Sequence, residues 1–431
     1  MSEFILPRYR HLKREYDAAV QCNRCGFCET VCPTYMASGK ETLSPRGRNQ
    51  AFRNILEGKL ADAAGAADIF STCLTCHACT NVCFSQVPVG RLMGAAKEIS
   101  QPSVRNAVSR AAFRFFLFQR KFLSAALWLV FLAKRTVPKA LRKLVAPALE
   151  ELVVQAPLSF GSGSGESPAG APADTAFFSA CGIHYLFPSA TKSIRSVAEK
   201  NGGKLRCFSH SCCGLIPQSA GDPQTARELA QKNIRDFSAL GSGTLLVSDD
   251  SCAGFMKSYP ALLPDDAKAG DFASKVKNLS EFLAERGYKG PESAGLPRRP
   301  VAVATVPGLK VTYHDPCQTG NGQKSFATPR AILKSIPGIE VVELDEAEWC
   351  CGGAGTYSLK HPDLADDVLE RKMANIKKSG AAVVVTQAAS CLLHVGLGLR
   401  RKGWEGNIRV VHLADFLEEI SPGGRIRPER P

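Results

Sequence analysis

CCGGAGTYSLKHPDLADDVLERKMANIKKSGAAVVVTQAASC, residues 350–391, decides how the rest of the chain is read. A cysteine pair with glycine leads into a helical pattern, PDLADDVLERKMANIKKSG, and then into an apolar run, AVVVTQAASC, that closes on cysteine. Residues 212–252, CCGLIPQSAGDPQTARELAQKNIRDFSALGSGTLLVSDDSC, follow the same plan. Each stretch is preceded by a β-like run ending in cysteine, AFFSAC at 176–181 and VTYHDPC at 311–317, and then by a second strand-like stretch, KLRCF or IEVVEL. Cys181 matches Cys317, Cys212 and Cys213 match Cys350 and Cys351, and Cys252 matches Cys391, at a near-constant offset that marks an internal duplication. Strands alternating with helices of this length predict a parallel α/β sheet in each half.

Working outward, YKGPESAGLPRRP (288–300) separates the two halves, and APLSFGSGSGESPAGAPAD (156–174) reads as a flexible tether ahead of the first. The expected organisation is an α+β multidomain chain. A cysteine-rich head spans 1–100, a basic amphipathic helical segment 101–155, and a linker 156–174, followed by the duplicated α/β halves at 175–288 and 301–420. A length of 431 residues agrees with two to four domains at ~100–200 residues each. Hydrophobic residues at 45% and charged residues at 22% exclude a disordered or fibrous chain. The 17 cysteines are too dilute for a disulfide scaffold, odd in number and clustered, which favours metal ligation in a reducing compartment. The start, MSEFILPRYRHLKREY, puts its apolar patch before its basic residues, the reverse of a secretory signal, so a cytoplasmic chain is expected.

The head carries the sharpest chemistry. CNRCGFCETVCP places Cys22, Cys25, Cys28 and Cys32 in the iron–sulfur spacing C-x2-C-x2-C-x3-C-P, and CLTCHACTNVC repeats it with Cys73, Cys76, Cys79 and Cys83. Three thiolates two residues apart on a wrapping loop reach three corners of a cubane. The fourth points away and serves the neighbouring cluster. One [4Fe–4S] cluster is therefore assigned to Cys22, Cys25, Cys28 and Cys83, and a second to Cys73, Cys76, Cys79 and Cys32. Zinc is the rival for any C-x2-C pair, but its sites use two pairs rather than two runs of four. Phe84 stands where Pro33 stands in the first run, which removes no ligand. The helical stretch RGRNQAFRNILEGKL between the runs makes the head longer than a compact ferredoxin hairpin and suggests a helical one.

The formal charge of +14 is concentrated in one place. Arg105, Arg110, Arg114, Arg120, Lys121, Lys134, Arg135, Lys139, Arg142 and Lys143 face a single acidic residue, Glu150, between positions 101 and 150. The longest uncharged run there, Phe122 to Ala133, is well short of the ~20 residues a spanning helix needs. Basic residues beside Phe, Trp and Leu suit a helix on an anionic membrane surface or docked to a partner. A solvated helical face is the plain alternative. No nucleic-acid motif accompanies the stretch, so nucleic acid is not an expected partner.

The two cysteine runs, SPRGR after the first, and the two CCG modules ending in CCGGAGTYSLKHPDLADDVLERKMANI resemble the iron–sulfur subunit of glycolate oxidase over nearly the whole chain. The likeness extends more loosely to lactate-utilisation proteins and to the CCG subunits of heterodisulfide reductase. It implies an electron carrier. An FAD-containing partner would oxidise a 2-hydroxy acid, glycolate or lactate, and electrons would pass through the clusters toward a membrane quinone or another acceptor. The alternative it implies is disulfide or quinone chemistry at the CCG modules themselves. Attachment would be peripheral, on the cytoplasmic face of the inner membrane. No Rossmann fingerprint, P-loop or nucleophile elbow is present, so no catalytic residue is assigned and the chain alone is not expected to turn over a hydroxy acid.

The resemblance also implies ligand sets for one or two further clusters: Cys181, Cys212, Cys213 and Cys252, and Cys317, Cys350, Cys351 and Cys391. Full members carry a fifth cysteine, whose places here hold Phe255 and His394. The rival reading of all eight is structural cysteine. His394 is either a ligand or a polar surface residue near a helix start, and Cys207 either a ligand or a small buried hydrophobe. His184, His210 and His314 could hydrogen-bond to cluster sulfurs or cap turns. Arg46 and Arg48 could offset cluster charge or sit in a solvated loop.

Overall fold

A computed structural model describes residues 4–60, 63–100, 114–115, 118, 174–207, 212–290 and 308–421. Most of the basic segment, the linker up to residue 173 and His210 lie outside them.

Among the described residues the head is helical. SPRGR opens a helix rather than a loop: Ser44 accepts a hydrogen bond from the Gly47 amide at 2.9 Å, and Pro45 takes the first position of helix Pro45–Leu56. That helix and Val89–Ser100 pack Phe52, Ile55, Leu92 and Met93 around Tyr16 and Phe70, all buried.

Each half builds a four-stranded, all-parallel sheet. In the first, β1 (Thr175–Phe178), β2 (Leu205–Cys207), β3 (Thr244–Val247) and β4 (Val276–Lys277) lie in the order 2-1-3-4, with Phe177 opposite Leu246. In the second, β5 (Leu309–Tyr313), β6 (Ile339–Val341), β7 (Val383–Thr386) and β8 (Arg409–His412) lie in the order 6-5-7-8, with Val311 opposite Val383. The central strands are apolar runs because both faces are covered. The outer strands β4 and β8 carry no such run, which is why the sequence does not announce them.

One core joins the halves. Helices Pro188–Lys200 and Leu413–Ile420 meet between the sheets and bury Ile194, Val197, Phe416 and Leu417 with Val311 and Val385. Asp415 accepts from Ser193 at 2.6 Å at the rim of this contact. The opposite faces of the two sheets have separate cores around Leu229, Phe237 and Phe272, and around Met373, Val384 and Val395.

The head is tied to both halves. Gln318 Nε2 donates to the Thr75 carbonyl at 2.9 Å and Asn81 Nδ2 to the Asn321 carbonyl at 3.1 Å. Lys97, buried, donates to the Cys73 and Ser219 carbonyls at 2.9 and 3.0 Å. Head helix Pro33–Ser38 packs on helix Pro362–Ser379.

Candidate iron–sulfur sites

Each cysteine run of the head wraps through left-handed backbone at matching positions, Arg24 and Gly26 in the first and Thr75 and His77 in the second. Residues other than glycine pay about 1–3 kcal/mol each for that conformation, which persists where the surroundings demand it. Cys32, Cys73, Cys76 and Cys79 line one small cavity. Arg48 is buried beside it, not in a solvated loop. Its Nη1 lies 3.8 Å from the Cys32 Sγ, and its Nη2 donates to Thr34 and Thr72 at 2.9 and 3.0 Å.

Cys22 and Cys28 influence each other electrostatically. The Cys83 end of the second run approaches them through Asn23 Nδ2, which donates to Ser85 at 3.0 Å, and through Phe27 and Phe84, whose rings meet edge to face at 5.3 Å. Phe84, 81% exposed, therefore fills the place of a proline with a surface aromatic contact. Arg46 pairs with Glu29 and Glu41 at 2.5 and 2.8 Å, at the edge of the first run.

In the duplicated halves the cysteines follow the carboxyl ends of neighbouring strands, where open parallel sheets place their sites. Cys181 starts a helix just after β1, Cys212 and Cys213 follow β2, and Cys252 lies in the first turn of the helix after β3. The second half repeats this with Cys317, Cys350, Cys351 and Cys391. Cys213 Sγ is 3.1 Å from Cys252 Sγ, and Cys212 hydrogen-bonds to Cys181 and Cys213. In the second half the Cys350 thiol interacts electrostatically with those of Cys317 and Cys351, and Cys351 with Cys391. The structure thus brings each expected foursome together. Cys207 stands apart on β2, packed against the shared core.

The glycine after each pair has a mechanical reason. Gly214 and Gly352 take φ of +95° and +84°, and their amides donate to the Cys212 and Cys350 Sγ atoms, each at 3.4 Å. A Cβ on Gly352 would lie 2.6 Å from the Ala365 carbonyl oxygen. The helix bearing Cys252 is capped by Asp249, which accepts from the Ser251 and Cys252 amides and, at 2.7 Å, from the Ala389 amide of the other half. Sequence reading passed over Asp249, although an Asp just ahead of a helix is a capping signal.

His394 is buried rather than a surface residue, with Nδ1 2.6 Å from the Cys351 carbonyl oxygen. His184 Nδ1 lies 3.3 Å from the Ser179 hydroxyl. His314 is fully buried, and one of its ring nitrogens with the Cys351 and Cys391 sulfurs forms a group of potential ligand atoms within 4.8 Å of one another.

The donor chemistry fits iron–sulfur clusters. Burial pushes the Cys28 thiol up to about 12, with Cys22 and Glu29 adding to it, and burial raises Cys79 further, helped by Cys73 and Cys32. Thiols so crowded and desolvated keep their protons until a metal takes their place.

A head that gathers Cys32, Cys73, Cys76 and Cys79 at one cavity, with Cys22 near Cys28, and a duplicated parallel-sheet body that brings together two further sets of thiols fit an iron–sulfur protein. A family model described as a 4Fe-4S dicluster domain matches residues 18–87, and one described as a cysteine-rich domain matches 175–257 and 311–396. The probable glycolate oxidase iron-sulfur subunit of Bacillus subtilis (strain 168) is 31% identical over 428 residues, covering 93% of this chain and 94% of that one. The glycolate oxidase iron-sulfur subunit of Escherichia coli (strain K12) is 26% identical over 92% and 93%. Lactate utilization protein A of an Exiguobacterium species is 28% identical over 57% of this chain and 97% of its own. The chain belongs to the family of glycolate oxidase iron–sulfur subunits. It is an oxidoreductase subunit that carries [4Fe–4S] clusters in an electron-transfer role.

Proposed function

We propose that the chain is the relay subunit of a flavin-dependent 2-hydroxy-acid dehydrogenase, taking electrons from an FAD-containing partner toward a quinone or other acceptor. Glycolate or lactate is the substrate of the complex. Cys22, Cys25, Cys28 and Cys83 would hold one cluster, Cys73, Cys76, Cys79 and Cys32 another. The two foursomes of the halves would hold further iron. Such clusters, when bound, accept and release single electrons.

The observation that carries the reading is that thiols of the head reach from the surface to thiols of the second half. Cys25 is exposed, beside the exposed ring pair Phe27 and Phe84. Cys76 is buried in one apolar cluster with Cys350, flanked by Cys317. The residues of the chain serve this arrangement. Arg48 sets a buried cation against Cys32, and Lys97 clamps the Cys73 loop to the first half. Among the described residues no helix is long and apolar enough to cross a membrane. A cytoplasmic complex attached peripherally through the basic segment is the arrangement we favour.

The test is to purify the chain with its flavoprotein partner under anaerobic conditions and follow the visible iron–sulfur absorption on adding glycolate or lactate. Bleaching in the complex, and none with the chain alone, is expected. No bleaching with either acid, or oxidation of the acid by the chain alone, would overturn the reading.

A further inference from the structure

The two halves are duplicates in fold but not in what surrounds their thiols. Three residues before Cys317 stands His314, and three before Cys181 stands Phe178. Likewise His394 and Phe255 each lie three residues after the last cysteine of their foursome. In the first half Phe178 and Phe255 pack in the hydrophobic cluster that contains Cys212, Cys213 and Cys252. In the second, the corresponding space holds two buried imidazoles.

The bonding of His314 fixes what its ring can do. Nδ1 is 3.1 Å from the Ala347 carbonyl oxygen, and a carbonyl can only accept, so Nδ1 carries the proton. The same carbonyl also accepts from the buried Lys372 ammonium at 3.2 Å. Nε2 is left with its lone pair, 0% of the residue exposed, and no partner of hydrogen-bond geometry. A ring nitrogen of His314 lies in the one group of potential metal donors found among the described residues, with the Cys351 and Cys391 sulfurs. A histidine whose far nitrogen is anchored to a carbonyl, with the near one free among thiols, has the arrangement of a metal ligand. His394 is arranged differently: its Nδ1 is spent on the Cys351 carbonyl and the residue lies outside that group.

We propose that the second half binds the iron of its centre through five protein donors, the thiolates of Cys317, Cys350, Cys351 and Cys391 and Nε2 of His314, whereas Phe178 and Phe255 offer no donor at the corresponding positions of the first half. The halves then hold centres of different ligation at equal thiolate charge, because the neutral imidazole adds a donor and replaces none.

The proposal rests on the second half holding iron, which the iron content tests separately. The full chain, reconstituted anaerobically with iron and sulfide, is compared with and without 15N-labelled histidine by electron spin-echo envelope modulation, as prepared and after dithionite. A histidine nitrogen coupled to the second-half centre is expected. It should vanish in His314→Cys with iron content kept, and remain in His394→Asn. His314→Phe, which copies the first half, should lose the iron of that centre while the head signals persist. Absence of histidine coupling from an iron-loaded second half, or its survival in His314→Cys, would overturn His314 as a ligand. An iron content that accounts for the head alone would overturn the premise as well.

Discussion

Cys32 and Cys83 are the residues on which the head's organisation turns, because each ends one run and either it or its chain neighbours contact the other. Cys32 lines the cavity of Cys73, Cys76 and Cys79, and the neighbours of Cys83 touch the first run through Asn23 and Phe27. Cys83→Ser should therefore damage the cluster of Cys22, Cys25 and Cys28, and Cys32→Ser the other, as read by EPR of each variant. Each substitution perturbing its own run instead would refute the crossed assignment. A second residue-scale expectation concerns His412, which is buried and accepts from the Ala414 amide at 3.1 Å at the start of the last helix. Burial pulls its imidazole down to about 3, so the folded chain keeps it neutral. Below about pH 6.5 the unfolded chain takes up a proton that the fold refuses, and stability falls with pH by about 1.4 kcal/mol per unit. His412→Asn keeps an acceptor for the cap and removes the titration. Its thermal midpoint should fall less steeply than the wild type's between pH 7 and 5.5, and equal slopes would count against the assignment.

At the scale of elements, the strand–loop–helix unit around each cysteine pair depends on one backbone conformation. Gly352→Ala should cost the ~1–2 kcal/mol of a left-handed alanine plus the displacement of the Ala365 carbonyl, 2.6 Å from the new Cβ. Gly380, at φ +66° after helix Pro362–Ser379, has nothing within 4 Å, so Gly380→Ala should cost only the conformational part. Denaturant unfolding of the two variants measures the difference, and comparable losses would show that the carbonyl contact yields freely. The capping of the Cys252 helix by Asp249 is a second device of this kind, and its hydrogen bond to Ala389 makes one half depend on the other.

For the whole molecule, Thr75, Asn81 and Lys97 fasten the second cysteine run to the body. Anaerobically purified chain should be brown and hold at least about eight irons, four for each [4Fe–4S] cluster, with zinc far below one per chain. Twelve or more, roughly, would place iron in the halves. Stoichiometric zinc without visible absorption would defeat the head assignment. The ten basic residues between 101 and 150 give a further whole-chain expectation. Attraction of about 1 kcal/mol per basic residue to an anionic surface is salt-sensitive, so high-salt washing should release the chain from host membranes. Retention until detergent is added would mean insertion.

The duplication, the parallel sheets and the two cysteine runs are legible in the sequence, because each is written in local spacing: apolar strands before cysteines, helices of matching length, and C-x2-C-x2-C loops. The helix start at SPRGR is equally local, a serine cap followed by proline at the head of the helical stretch RGRNQAFRNILEGKL. Tertiary structure alone decided the rest. Strand β4, two residues long, is too short to show a pattern, and it forms because a neighbouring strand offers its edge. Arg48 and His394 look like surface residues in sequence and are buried by packing from segments far along the chain. How the head meets the second half, and which nitrogen of His314 is left without a hydrogen bond, depends on contacts between Thr75 and Gln318 and between His314 and Ala347. No local spacing encodes those contacts, since they come into being only when the separate elements close on one another.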